Sequence, residues 1–359
     1  WKLTSVVRPG PNGPAVTTFG YDAWGNVSSV TDPAGNATSF TYDALGNVLS
    51  RTDPAGGTTS FTYDNVTRIK TITDALGRLS RFDYDDATGY VTFTDNVGNT
   101  TRALLDAKGK AHYSEDAMGN GTWYDYTYGG CTSCGSTGGD LLDSVTDALG
   151  RTTSFGYDGN GRRTTVTDPL GRPTSVAYHP SGDVWYRTDA LLRQTIYGYD
   201  PLSNLNRITD ARGGVTSLAY TPGGLPDNVV DANRNVTHYG YDAAGRVGQV
   251  ASPDAGTSGY LYHPEGSVYT RTDARNVTAT YSYDDASRLT GISYPDASRN
   301  VAFAYDNLSV SYGKGRLTNV TAPSGTTAYG YDAMGRIVQE DKTVLGVSYS
   351  TGYGYDNVG

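Results

Sequence analysis

Phe40-Thr-Tyr-Asp-Ala-Leu-Gly-Asn47 followed by Thr52-Asp-Pro-Ala-Gly56, then Phe61-Thr-Tyr-Asp64 followed by Thr73-Asp-Ala-Leu-Gly77, is one unit written twice. Its tyrosine recurs at Tyr21, Tyr42, Tyr63 and Tyr84 in steps of 21 residues, and after a degenerate copy at Leu105 reaches Tyr126. The step resumes at Tyr157, Tyr178, Tyr199, Tyr220, Tyr241, Tyr262 and Tyr283, then loosens at Tyr305, Tyr331 and Tyr355. A fixed period means that each unit leaves an apolar face which only its neighbour can cover, so the repeat is read before anything else.

Each unit holds two turn signals half a period apart. Asp43 with Gly46 and Asp53 with Gly56 form one pair, and Asp74 with Gly77, Asp147 with Gly150 and Asp168 with Gly171 carry the second signal onward. An aspartate at the first turn position accepts a bond from backbone two residues on, and glycine at the fourth supplies the positive φ that closes the turn. Between turns about six residues remain, which suits a strand and is too short for a helix. Thr, Val, Tyr and Phe fill these stretches, in line with β-propensity. The expected fold is therefore all-β, strand and turn alternating along one elongated or curled array of hairpins, and a 21-residue period suits a closed wall and a tube alike.

Side chains alternate across a strand, so the motif tyrosine and the residue two before it share a face. This predicts an aromatic ladder of Phe40, Tyr42, Phe61, Tyr63, Phe82, Tyr84, Phe155, Tyr157, Tyr197, Tyr199, Tyr239, Tyr241, Tyr281 and Tyr283. Each stacked ring pair is expected to add about 0.5–1.5 kcal/mol beyond area burial.

Segmentation follows the period. Residues 1–18 read as a partial unit or linker, 19–128 as an array, 129–140 as an inserted loop, 141–290 as a second stretch of array, and 291–359 as looser repeats. Both ends look cut from something longer.

Composition narrows the function. The 359 residues include 46 Gly, 30 Tyr, 7 Phe and 2 Met, and the net charge of −9 offers no basic stripe for nucleic acid. No apolar run of about 18 residues is present, so no membrane-spanning helix is expected. Cys131-Thr-Ser-Cys134 reads as a disulfide clipping the inserted loop, ahead of half a zinc site, with free thiols as the remaining alternative. His179 and His263 stand in the motif's Asp position and read as turn variants. Asp83, Asp85 and Asp86 begin like a calcium loop, but the pattern fails at Ala87. No metal, cofactor or catalytic group is expected.

Tyr-Asp-Ala-x-Gly-Asn/Arg at Tyr21, Tyr42, Tyr241 and Tyr331, alternating with Thr-Asp-Ala/Pro-x-Gly-Arg at Thr73, Thr146 and Thr167, resembles the YD repeats of the Rhs family. Tc toxin BC components and teneurins are similar in this respect. The resemblance implies hairpins whose joined sheet spirals into a hollow shell, enclosing a toxin domain in bacterial members and serving cell adhesion in teneurins. The expected function is a non-enzymatic scaffold, secreted or at the cell surface, built as an extracellular fibre or surface structure. A toxin-enclosing shell segment and a carbohydrate-binding adhesion module are the alternatives. The expected partners are other copies, further repeats of the same protein, or surface glycans.

Overall fold

The computed structural model describes residues 2–127 and 141–356. Cys131, Cys134 and the whole inserted loop 129–140 lie outside the described residues. The fold is all-β, with 32 described strands and one short 3-10 turn at Ala297–Arg299. The strands follow one another in a meander. In the first stretch these are β1 (Ser5–Gly10), β2 (Gly13–Tyr21), β3 (Val27–Thr31), β4 (Ala37–Tyr42), β5 (Val48–Thr52), β6 (Thr58–Tyr63) and β7 (Ile69–Thr73). Each pairs antiparallel with the strand before and after it.

Register repeats with the sequence. In β4 and β5, Phe40 faces Arg51 and Thr41 faces Ser50, but Tyr42 faces Val48, so one residue is skipped next to the tyrosine. The same shift recurs at Tyr21, Tyr63, Tyr157 and Tyr199. It is a β-bulge, one extra residue that bends the strand and increases its twist just before the turn.

The chain divides into two compact units. Unit 1 comprises residues 1–82, 94–98 and 257–359, and unit 2 comprises 83–93 and 99–256. Within unit 2 the strands from Ala111–Glu115 through Val247–Ser252 pair in sequence order with the same registers. In unit 1 the later repeats depart from the 21-residue form through the 3-10 turn and the long loop between strands Val301–Tyr305 and Leu317–Ala322.

There is little core in the ordinary sense. Among the described residues the buried side chains are Asn36, Ala279, Thr318 and Ala333. The motif rings are half-buried along one face, while the alternate positions of β4 (Ala37, Ser39, Thr41) are exposed.

The hairpin geometry sets how the rings relate. A unit contributes two strands, so equivalent rings such as Phe40 and Phe61 sit two strand spacings apart, about 9.6 Å. Between them the intervening strand places Arg51, and in later units Ile72, Val166, Ile208 or Val250, opposite the ring two before the tyrosine. The face is thus ring, aliphatic or arginine, ring. In unit 2 the Arg187 guanidinium lies over the Tyr197 ring at 5.9 Å.

Candidate functional site

Among the described residues the hairpin turns fall on two rims. The Tyr-Asp turns make one, here the A rim, and the Thr-Asp turns make the other, the B rim. Most of these turns are built on an aspartate carboxylate. At Asp43 the Gly46 amide donates to the Asp43 carbonyl at 3.1 Å, while the side-chain Oδ1 accepts the amides of Leu45 and Asn47 at 2.9 and 2.8 Å. Oδ2 accepts the Asn47 side-chain amide at 2.9 Å. Gly46 at φ +86° occupies the left-handed region that this closure requires. Asp53 and Gly56, Asp74 and Gly77, Asp147 and Gly150, and Asp168 and Gly171 close in the same way.

The residue four after the aspartate completes the turn. Asn26, Asn120, Asn204 and Asn235 donate through their amides. Arg68, Arg78, Arg151, Arg162, Arg172 and Arg246 donate through Nε at 2.6–2.7 Å. These bonds hold the carboxylates below their usual range. At Asp43 the Asn47 side chain is the main cause, and at Asp74 burial acts to raise the pKa but is outweighed by bonds from the Arg78 amide and guanidinium. Asp273 is held at about 2, chiefly by Arg275.

The sign of the pH dependence follows. A carboxylate with a depressed folded pKa stabilises the fold when ionised, because the unfolded chain binds the proton more readily. Stability is expected to be level above about pH 5 and to fall from near the ordinary value of 3.8 down to about 2. Thermal melting across that range checks it. A melting temperature that rises on acidification would contradict it.

The motif tyrosine has a role that the spacing alone did not reveal. Its hydroxyl donates to the carbonyl of the residue 15 earlier, at the start of the preceding strand: Tyr42 to Val27 at 2.7 Å and Tyr63 to Val48 at 2.8 Å in unit 1. In unit 2, Tyr157, Tyr199, Tyr220 and Tyr241 reach Leu142, Val184, Leu205 and Pro226 in the same way. Val48 is the residue facing Tyr42 across the bulge, so each tyrosine ties its own hairpin to the bulge of the one before. Tyr63→Phe is expected to cost about 1 kcal/mol, the net worth of one partly buried hydrogen bond. A chemical melt checks it, and no change would remove the tie from the account.

Unit 1 shows what the rims do when they meet. The first B-rim turns lie against A-rim turns from far along the chain. Asn12 donates its side-chain amide to the Tyr283 carbonyl at 2.8 Å. Asn36, 5% exposed, bonds Asp306. The Asp53 carboxylate takes Arg316 Nη2 at 2.7 Å, with the two side chains 18% and 20% exposed. At the Asp53 turn the fourth position after the aspartate is Gly57 instead of Asn or Arg, which leaves Oδ2 without a partner from its own turn. The missing side chain also makes room, since a Cβ on Gly57 would run into the carbonyl of Ala333. Ala333 itself is 7% exposed.

The remaining candidates are explained by the turns and their neighbours. His179 accepts the Gly182 amide on its carbonyl at 2.9 Å, as the aspartate does elsewhere, and its ring stacks near Trp185 and edge-on to Tyr199. His263 repeats this with Tyr269 and Tyr283. Asp85 binds the amides of Ala87 and Thr88 and the Thr88 hydroxyl. Among the described residues no three His, Cys, Asp or Glu side chains gather as metal ligands. An open groove of about 980 Å³ in unit 2 is lined by Tyr157, Tyr178, threonines and the guanidinium groups of Arg163, Arg187, Arg193 and Arg212. Ser175, Asp189 and Asp210 also line it.

With this geometry in view, the comparisons are specific. The RHS Repeat model matches residues 3–37, 21–58 and 42–77, and the Teneurin YD-shell model matches residues 144–357. None of the curated proteins compared with the chain matches it. Among solved structures, the TcdB2-TccC3 complex is similar at 16% identity and a TM-score of 0.61, over 97% of this chain and 24% of that one. The TcdB2-TccC3-Cdc42 complex gives the same identity and TM-score over 97% and 23%. The Tc holotoxin pore of Photorhabdus luminescens gives them over 94% and 22%. The chain thus spans 22% to 24% of the length of these structures, and at this identity the likeness is one of fold.

Proposed function

Because the chain belongs to the teneurin YD-shell family, we propose that it forms part of the wall of a hollow protein container and performs no chemistry of its own. The observation that carries this reading is the meeting of rims in unit 1, where three B-rim turns rest on A-rim turns some 260 to 270 residues further along the chain. A sheet whose edge turns grip one another in this way can be extended layer upon layer. Its strength lies in hydrogen-bonded rims and in a half-covered face of rings and aliphatic groups. A carboxylate turn every half period supplies the grip, the bulge-to-tyrosine ties hold neighbouring hairpins in register, and neither device needs a second layer of protein.

We put enclosure ahead of the extracellular fibre that the sequence alone favours, because the solved structures sharing this fold are toxin complexes. Toxin as the cargo, a location outside the cytoplasm and the absence of catalysis belong to the same proposal. No feature of either unit singles out a glycan site.

Small-angle X-ray scattering of the purified chain tests it. A straight ribbon of 32 strands would extend about 150 Å at one strand spacing of 4.8 Å each. The expected maximum dimension is well below that, with a profile that excludes a rod. A rod of the ribbon's full length would overturn the reading in favour of a fibre.

A further inference from the structure

Unit 2 carries a B rim that ends in large apolar side chains. At the second position after the aspartate stand Met118, Leu149, Leu170 and Leu191, exposed by 87%, 76%, 75% and 71%. These turns belong to successive hairpins joined edge to edge. At two strand spacings per hairpin the tips form a stripe about 30 Å long. Next along the same rim is the turn Asp210-Ala-Arg-Gly-Gly214, which shares with Asp53-Pro-Ala-Gly-Gly57 a glycine at the fourth position after the aspartate. Its Oδ1 accepts the amides of Arg212 and Gly214, both at 2.8 Å, as Asp53 does from Ala55 and Gly57. Asp210 therefore presents the acceptor that Asp53 uses for Arg316, here on an exposed turn.

The A rim carries matching tips. Trp24, Leu45 and Leu202 are 81%, 78% and 80% exposed. Met334, at the corresponding tip of an A-rim turn that is docked in unit 1, is 40% exposed, so docking covers such a tip substantially. The docked B-rim turns of unit 1 carry small Ala34 and Ala55 at the position where unit 2 has Met or Leu, so a rim seated on unit 2 would cover more apolar surface.

We propose that the B rim of unit 2 is a docking surface for the A rim of a second copy of this chain, repeating between molecules the B-on-A contact that unit 1 makes within one. The two faces are different, so the contact is head to tail and continues from copy to copy instead of closing on itself. Exposed apolar stripes on a soluble surface commonly mark such contacts. The inference rests on the rim contact of unit 1 and is independent of what the wall encloses.

Sedimentation velocity on the whole chain tests it. From about 1 to about 100 µM the weight-average mass of the wild type is expected to rise more than twofold, because the contact is heterologous. Leu149→Glu with Leu170→Glu, on the B rim, and Trp24→Glu with Leu45→Glu, on the A rim, should each abolish the rise. Their melting curves should stay unchanged, since all four positions are exposed tips. Mixed in equal amounts, the two variants should form a dimer and stop there, because each retains one sound rim. Asp210→Asn should weaken association several-fold. A wild type that stays monomeric across the range overturns the proposal, as does a mixture that fails to form the dimer or grows beyond it.

Discussion

Arg316→Ala is expected to lower the stability of unit 1 by about 2–3 kcal/mol, the range for losing a charge-assisted hydrogen bond at a largely covered site. The side chain makes three kinds of contact. Its Nη2 donates to Asp53 at 2.7 Å, its Nη1 donates to the Tyr312 carbonyl at 2.5 Å, and its guanidinium lies over the Tyr331 ring at 5.7 Å. It also fills the space above Gly335, where a Cβ would strike the guanidinium. Truncation therefore removes packing as well as charge, and leaves Asp53 facing the second rim without a cation. Denaturant unfolding measures the loss. Asp53→Ala in the Arg316→Ala background should cost less than in the wild type, because the shared bond is already gone. Strict additivity of the two changes would show that the contact is incidental.

Asp74→Ala is expected to cost about 2–4 kcal/mol, and Asp147→Ala clearly less, although the two turns have the same sequence from aspartate to arginine. Both carboxylates accept the amides two and four residues on and the Nε of the following arginine. They differ in cover. The Asp74 and Arg78 side chains are 17% and 18% exposed, while those of Asp147 and Arg151 are 35% and 62% exposed. Water competes for the exposed pair and screens it, whereas the covered pair loses its bonds outright. Equal effects at the two sites, read from denaturant midpoints, would show that the local turn alone matters and that its surroundings contribute nothing.

Much of this architecture was legible in the chain because its determinants are local. The alternation in Phe40-Thr-Tyr42 and the Asp43 and Gly46 turn lie within a few residues of one another, and strand length follows from the gap between turns. The bond from Asn47 or Arg78 back to its aspartate was equally local. Its signal, an Asn or Arg four residues after the aspartate, stands in the repeat without announcing a role. The tyrosine tie was hidden for a different reason: it depends on the bulge, which moves Val48 opposite Tyr42, and a bulge leaves no mark in a regular 21-residue step. Ring-on-ring stacking was a natural expectation from a shared face. It overlooked that a full unit is two strands, which sets Arg51 or Ile72 between successive rings. The pairing of Asp53 with Arg316 across 263 residues depends on how the sheet curves, a sum of small twists that no single residue encodes. Gly57 and Gly214, at the position where the repeat otherwise favours Asn or Arg, were the one local hint that a rim had been opened for a partner.

The most direct test of the wall is the distance between its rims. Spin labels at Ala55→Cys and Lys314→Cys, with Cys131 and Cys134 replaced by serine, report it by double electron–electron resonance on the purified chain. The account predicts one short, narrow distance, which broadens or lengthens when Gly57→Val is added, since a larger residue there pushes against Ala333. In an extended ribbon the two labels would be separated by more than twenty strand spacings, about 100 Å. A separation of that order in the otherwise wild-type chain would contradict the account.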